Sequence, residues 1–255
     1  MAKSGTQTMN IQGGEFVNNL TINDGSTTEV FTINDAGSTI NVAGNLIVNE
    51  KIKSHASSAS NKVTLWNAHA ITIGSDVKTT ALADMHQIKM NNSSGTMSIP
   101  ECTMKTCVIA NSGGTTQATG DLTFTSELEV NSGTTFNANT NTIAAKNVDV
   151  NGGTLDLRNS TLNFSVTSSS DIFTMSGSST LLSGNTAING HSSAAKTLAA
   201  FAPSGGFEVV GDVKHLLSDT DSDLTVIGSV IGCDVSASGA NIRQFFHTLD
   251  TQQLL

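Results

Sequence analysis

Pairs of apolar residues recur about every seven residues within the segment 147–165, which reads NVDVNGGTLDLRNSTLNFS. The pairs are Val148/Val150, Leu155/Leu157 and Leu162/Phe164. Only Asn, Asp, Gly, Thr, Ser and one Arg lie between them. Alternation of apolar and polar residues over three to five positions is typical of a half-buried strand. Because this spacing leaves only two or three residues for each turn, it predicts short strands joined by corners rather than antiparallel hairpins.

The same alternation recurs earlier in the chain, with connectors rich in Asn, Gly, Asp and Ser, which favour turns. The apolar pairs are Leu20/Ile22, Phe31/Ile33, Ile40/Val42, Leu46/Val48, Val63/Leu65, Ile71/Ile73, Ile88/Met90, Met97/Ile99, Leu122/Phe124 and Leu128/Val130. Three sides of about seven residues predict a β-solenoid coil of about 21 residues. Eight or nine such coils over 16–190 would stack into a rod of roughly 40 Å. The alternative all-β architecture is a β-sandwich, which normally spaces its strands by about 8–12 residues.

Composition supports an ordered all-β chain with a surface of uncharged polar residues. Only 13% of the 255 residues are charged, whereas Thr, Val and Ile, which favour strands, are plentiful. The formal charge of −9 and the scattered basic residues argue against a nucleic-acid partner. There is no apolar run of about eighteen residues and no apolar signal-peptide core, so we expect no membrane span and synthesis in the cytoplasm.

Changes in pattern divide the chain into four segments. We predict an N-terminal arm over 1–15, solenoid repeats over 16–190, a linker over 191–206 and a C-terminal β segment or cap over 207–255. The linker, HSSAAKTLAAFAPSGG, interrupts the strand alternation and contains Pro203. Short helical turns are expected at 79–87 and 193–202. Open solenoid ends expose strand edges, so a cap, a partner or another copy is expected to cover them. Leu254 and Leu255 form an apolar end that is expected to dock or to continue.

The cysteines and histidines do not form a recognised site. The three cysteines, Cys102, Cys107 and Cys233, lack zinc-site spacing and are interpreted as buried apolar residues, with a Cys102–Cys107 disulfide left open. The histidines stand far apart and match no metal or hydrolase motif; they are His55, His69, His86, His191, His215 and His247. We therefore predict no catalytic residue, no cofactor-binding residue and no metal ligand.

Two sets of carboxylates are weighed against that prediction. Asp149 and Asp156 stand about one strand apart, as an acid pair of a polysaccharide-cleaving solenoid would. Both are placed opposite the apolar positions and are therefore interpreted as solvent-facing, and Trp66 is the one Tyr or Trp that such a sugar groove could use. Asp24 and Asp35 lie in the similar stretches INDGS and INDAGS, where calcium binding is the alternative to a turn.

In its Ser/Thr/Asn/Gly-rich strand repeats over 16–190, its lack of a signal peptide and its ending NIRQFFHTLDTQQLL, the chain resembles structural proteins of marine tailed bacteriophages. The resemblance implies virion assembly without enzymatic activity, as a homo-oligomer for which a trimer is plausible, with the major capsid or tail protein as partner. No motif with a known role is matched, so no functional residue is carried over.

The first functional hypothesis is a non-enzymatic virion protein, chiefly a capsid decoration protein that stabilises the head by subunit contacts. A tail fibre or receptor-binding tailspike is the second. A bacterial surface adhesin or filament subunit is the third and requires an export route. The expected location is the virion, after synthesis in the host cytoplasm.

Overall fold

The computed structural model describes residues 7–9, 14–16, 18–22, 30–33, 37–54, 61–66, 70–91, 93–110, 113–164, 173–176, 179–182, 186–189, 208–210, 213–216, 224–227 and 242–245. Within these ranges the fold consists of short β-strands and one 3₁₀ helix, Ser75–Val77. In chain order the strands are β1 (Gln7–Met9), β2 (Gly14–Phe16), β3 (Leu20–Ile22), β4 (Val30–Ile33), β5 (Thr39–Val42), β6 (Leu46–Val48), β7 (Lys51–Lys53), β8 (Lys62–Trp66), β9 (Ile71–Ile73), β10 (Gln87–Asn91), β11 (Thr96–Ile99), β12 (Cys102–Ile109), β13 (Thr115–Ala118), β14 (Leu122–Asn131), β15 (Thr135–Asn137), β16 (Thr142–Asn151), β17 (Thr154–Asp156), β18 (Thr161–Phe164), β19 (Phe173–Ser176), β20 (Thr180–Leu182), β21 (Thr186–Asn189), β22 (Glu208–Val210), β23 (Val213–Leu216), β24 (Leu224–Ile227) and β25 (Ile242–Phe245).

The strands form a three-sided β-solenoid, as the spacing of the apolar pairs predicted. Each strand pairs in parallel with the strand one coil later, which excludes the hairpins of a β-sandwich from the described ladders. Thr96 pairs with Thr115, Thr115 with Thr135 and Thr135 with Thr154, so a central coil contains 19 or 20 residues. This is close to the predicted 21.

The three sides are named face 1, face 2 and face 3. Face 1 contains β1, β4, β7, the first halves of β12, β14 and β16, then β18, β21 and β23. Face 2 contains β2, β5, β8, β10, the second halves of β12, β14 and β16, and β19. Face 3 contains β3, β6 and β9, then β11, β13, β15, β17, β20 and β22. Isolated bridges at Lys53–Asp84, Leu82–Met104 and Ala70–Ser98 join the earlier and later parts of faces 1 and 3.

The interior is apolar along the whole described stack because every second side chain of each strand points inward. The buried residues form one cluster that extends from Leu20 to Leu181. Two aromatic contacts lie within it: the Phe124 and Phe136 rings meet edge to face with centroids 6.4 Å apart, and those of Phe164 and Phe173 lie 5.9 Å apart. Such a core accounts for a rod that the small, weakly charged surface residues could not stabilise by themselves.

Several predicted boundaries can be compared with these strands. β1 lies inside the predicted N-terminal arm and pairs with β4. β22 and β23 lie inside the predicted C-terminal segment and continue two ladders of the stack. The predicted linker 191–206 lies outside the described residues, as do the expected turn at 193–202 and the chain end at Leu254 and Leu255. The four-segment division therefore stays a prediction.

The helical turn expected at 79–87 begins earlier in the structure. The 3₁₀ helix occupies Ser75–Val77, and the carbonyl oxygen of Val77 accepts hydrogen bonds from the amides of Thr80 and Ala81. Leu82 and Asp84 then form β-bridges with neighbouring coils. The turn ends there because main-chain pairing on face 1 resumes.

The corner between face 3 and face 1 contains two consecutive non-glycine residues in the left-handed region, Asn139 at φ 51° and Thr140 at φ 66°. The Nδ2 atom of Asn141 donates to three carbonyl oxygens there, including that of Ala118 one coil earlier. The Thr140 amide donates to Ser160 Oγ at 3.0 Å. A β-branched residue is disfavoured at positive φ, whereas Asn tolerates it.

We expect Thr140→Asn to raise the free energy of unfolding by about 1 kcal/mol, because it relieves this strain and leaves the backbone bond to Ser160 intact. Chemical denaturation followed by circular dichroism measures the change. Thr123→Asn is the matched control: it makes the same replacement at an exposed position inside β14, where Asn is disfavoured, and should give no gain. Equal effects of the two substitutions would contradict the assignment of strain to Thr140.

Candidate functional site

The outward side chains of face 2 form a column in which each residue lies directly beside its counterpart in the next coil. In order along the rod the column contains Asn41, Thr64, Lys89, Val108, Glu129, Asp149 and Thr174. Strand registry therefore places a lysine one coil before Val108 and two carboxylates in the coils that follow it. We call the outward residues of face 2 from Lys62 to Asp149 the face 2 strip.

Carboxylates crowd one end of the face 2 strip. Glu129 and Asp149 are direct cross-strand partners, and Glu127 lies on the same face as the partner of Asn147. Burial, and then the neighbouring charges of Glu129 and Asp149, raise the pKa of Glu127 above its ordinary value. Burial, and then Glu129, raise the pKa of Asp149. Glu129 accepts a hydrogen bond from Asn131 Nδ2 at 2.7 Å. This end therefore holds like charges that repel one another at neutral pH.

We expect Asp149→Asn to stabilise the chain at pH 7 by about 0.2–1 kcal/mol, because it removes a like-charge pair directly across two strands. A carboxyl group whose pKa is raised in the folded state binds its proton more tightly there than in the unfolded state. The wild-type chain should therefore gain stability as the pH falls through the folded pKa, until the pH reaches the unfolded pKa of about 3.9. The advantage of the variant should shrink over the same range.

Thermal unfolding of the two dilute proteins between pH 7 and pH 4 measures this difference. Asp76→Asn is the control, because it removes an exposed carboxylate from another part of the coil and should change stability by no more than about 0.5 kcal/mol. A variant less stable than the wild type at pH 7 would contradict the proposed repulsion.

Lysines occupy the other end of the face 2 strip. Lys62 pairs in register with Gln87, and Lys89 with Thr64. Burial, and then the positive charges of Lys105 and Lys62, lower the pKa of the nearby His86. The ion pairs among the described residues are Lys51–Asp84, Lys78–Glu101 and Arg158–Asp156, and none of them lies on the face 2 strip. The strip thus has a positive end and a negative end in a chain whose net charge is −9.

The middle of the face 2 strip is apolar and largely shielded. Val108 points outward yet is only 5% exposed, and the outward Thr64 and Thr106 are also buried. An outward valine between charged neighbours gives the strip an apolar centre with polar ends. This sequence of chemistry is typical of an interaction surface, in which an apolar middle is bordered by charged groups.

Asp149 and Asp156 do not form the acid pair that was weighed from the sequence. Asp149 lies on face 2, whereas Asp156 ends β17 on face 3. The expectation that both face solvent is wrong for Asp156, which is 4% exposed. Its two carboxylate oxygens accept hydrogen bonds from Nε and Nη2 of Arg158 at 2.9 and 2.6 Å. The guanidinium group folds back over the carboxylate and covers it, so Asp156 has a structural partner rather than a catalytic one.

The other residues considered from the sequence are also placed where the structure describes them. Cys102 and Cys107 are buried free thiols, so the disulfide left open is not present. Burial, and then Glu101, raise the pKa of the Cys102 thiol to about 12, and burial also raises the pKa of Cys107. His86 is the histidine whose side chain is described. Cys233, Asp24, Asp35 and the side chains of Trp66 and the remaining histidines lie outside the described residues.

Searches for a metal centre and for a membrane helix give the same answer in the described part of the chain. No group of three or more His, Cys, Asp or Glu side chains there is arranged to hold a metal ion. No helix in those ranges is long and apolar enough to cross a membrane. Comparison of the chain with protein-family models, with curated proteins and with solved structures finds no match.

The face 2 strip was missed in the sequence because its members are far apart along the chain. Lys89, Val108, Glu129 and Asp149 are separated by 19 to 21 residues, which is the length of a central coil. Writing the sequence in rows of one coil length would have placed them in one column. The unequal coils at the N-terminal side, where Thr39 pairs with Lys62 and Lys62 with Gln87, conceal that alignment.

Proposed function

We propose that the chain is a non-enzymatic structural protein of a tailed-phage virion, most simply a capsid decoration protein that stabilises the head through subunit contacts. The observation that supports this role is the continuous apolar interior enclosed by three parallel ladders. Such an interior gives a stiff body whose sides and ends are available for contact. The compositional resemblance to phage structural proteins supplies the virion context.

The composition of the outer surface fits a protein that acts by contact. Outward positions of face 3 carry short polar residues in register, with Thr96, Thr115, Thr135, Thr154 and Thr180 forming one column. Threonine suits a strand, loses little side-chain entropy on contact and offers a hydroxyl group that both donates and accepts. Flat faces of this kind pack against other proteins without large rearrangement.

The parallel stacking of coils into a rod also favours a second candidate, a tail fibre or receptor-binding tailspike. A rod that projects from a particle extends its reach by about 4.8 Å for each added coil. The same geometry suits a bacterial surface adhesin or filament subunit. Both candidates would place binding at the end or along one side of the rod.

Antibody raised against the purified chain, with gold labelling of virions and host cells from the source culture, distinguishes these roles. Label spread over phage heads supports the decoration role. Label confined to tails supports the second candidate, and label on cell surfaces without phage supports the adhesin; either result overturns capsid decoration. Label on none of these structures contradicts all three.

The non-enzymatic part of the proposal has its own test. Purified chain is incubated with polysaccharide extracted from the host surface, and the release of reducing ends is measured against a boiled sample. We expect no release above the boiled control. Release by the wild-type chain would overturn the non-enzymatic assignment and favour a polysaccharide-cleaving tailspike.

A further inference from the structure

We infer that the face 2 strip is a self-association surface, on which two copies of this chain pack face to face with their rods antiparallel. The twofold axis lies close to Val108 and runs along the strand direction. This inference stands on the charge pattern of face 2 and does not require the proposed virion role.

The registry of face 2 makes the strip complementary to itself when it is turned over. Lys89 lies one coil before Val108 and Glu129 one coil after it. A twofold axis at Val108 therefore places Lys89 of each copy opposite Glu129 of the other. The same rotation brings Gln87 to the level of Glu127, and the Lys62 end to the Asp149 end. An isologous dimer requires this kind of self-complementary patch.

The electrostatic state of the isolated chain favours such a partner. Glu127, Glu129 and Asp149 are crowded and partly desolvated, as the raised pKa values of Glu127 and Asp149 show. Lysine side chains from a second copy would neutralise these carboxylates and relieve their mutual repulsion. A parallel arrangement of two or three copies would bring like charges together and is therefore disfavoured.

The apolar centre of the strip supports a dry contact at the axis. Val108 would lie next to Val108 of the second copy, and the two buried threonines beside it add no charge that would need solvent. Charged residues at the border of an apolar contact set orientation and association rate more than affinity. The arrangement therefore predicts a specific antiparallel register.

The size of the surface sets the expected strength. A strip about five residues wide and seven coils long covers about 16 Å by 29 Å, or roughly 500 Å² on each copy. The total of roughly 1,000 Å² lies at the lower limit for specific interfaces. We therefore expect a reversible dimer with a dissociation constant in the micromolar range, which weakens as salt screens the charges.

Sedimentation velocity of the full chain from about 1 to 100 μM tests the inference through paired charge reversals. We expect the acidic variant Lys62→Glu/Lys89→Glu and the basic variant Glu129→Lys/Asp149→Lys each to lose at least tenfold in self-affinity. An equimolar mixture of the two variants should form a heterodimer, because each supplies the charge that the other lacks. Lys53→Glu/Asp76→Lys, which alters exposed charges away from face 2, should dimerise like the wild type.

Two further measurements keep the test decisive where a variant fails to fold. Circular dichroism checks each variant, and Lys62→Gln/Lys89→Gln replaces the reversal if the acidic variant is unfolded. The wild-type dimer should also weaken at least tenfold between 50 mM and 500 mM NaCl. A wild-type chain that is monomeric throughout the concentration range, a trimer, or a dimer indifferent to both salt and the face 2 variants would each overturn the inference.

Discussion

Phe136→Ala is expected to lower the free energy of unfolding by about 3–5 kcal/mol, the range found for a fully buried aromatic residue. Phe136 is completely buried on β15, and its ring meets that of Phe124 edge to face. Truncation removes this contact together with the transfer free energy of the ring, and it leaves a cavity between two coils. The neighbouring coils cannot close the cavity fully, because their separation is fixed by the ladder hydrogen bonds.

Urea denaturation of the purified chain, followed by circular dichroism, measures the loss. Thr135→Ala, at the preceding half-buried position of the same strand, is the matched control and should cost no more than about 1 kcal/mol. Hydrogen exchange adds a spatial readout, because each solenoid coil contacts only its neighbours. Protection should fall first in β13 and β17, which pair with β15, and less in the distant β5. A loss below about 1 kcal/mol for Phe136→Ala would contradict the packed interior.

The inward residues of the solenoid could be predicted from the sequence because burial follows a strict alternation. Val148, Leu155 and Leu162, the leading members of the three pairs that first indicated the fold, are all buried. Corners rich in Asn and Gly then left one arrangement for strands so closely spaced. The local rule sufficed because each coil repeats it, and the coil length near 20 residues followed from three short sides.

What failed concerned outward residues, whose surroundings depend on the neighbouring coils. Asp156 was expected to face solvent, yet Arg158 covers it. Alternation states which side of the strand a residue occupies, but not whether a neighbouring side chain folds over it. The face 2 strip was missed for a related reason: it depends on registry between coils of unequal length, which no single stretch of sequence specifies.

Gly153→Ala is the second substitution for which we expect a large effect, about 3 kcal/mol or more of lost stability. A Cβ atom at Gly153 would lie 2.5 Å from the carbonyl oxygen of Asn131 and 2.8 Å from Cγ1 of Val130. Because the closest atom belongs to the backbone of the preceding coil, relief requires the coils to separate at this corner. Separation would strain the β14–β16 ladder, and overpacking of this kind commonly costs about 1–3 kcal/mol even where side chains can move.

Gly95→Ala separates this close approach from the ordinary conformational cost of replacing glycine. Gly95 has φ 76° but has no atom within 4 Å of the added Cβ, so only backbone strain of about 1 kcal/mol is expected. Thermal and urea unfolding of both variants should show the larger loss for Gly153→Ala, although its φ does not require glycine. Equal losses would mean that the corner between β16 and β17 can relax. The closeness of successive coils, rather than turn conformation, is then excluded as the reason for glycine at this position.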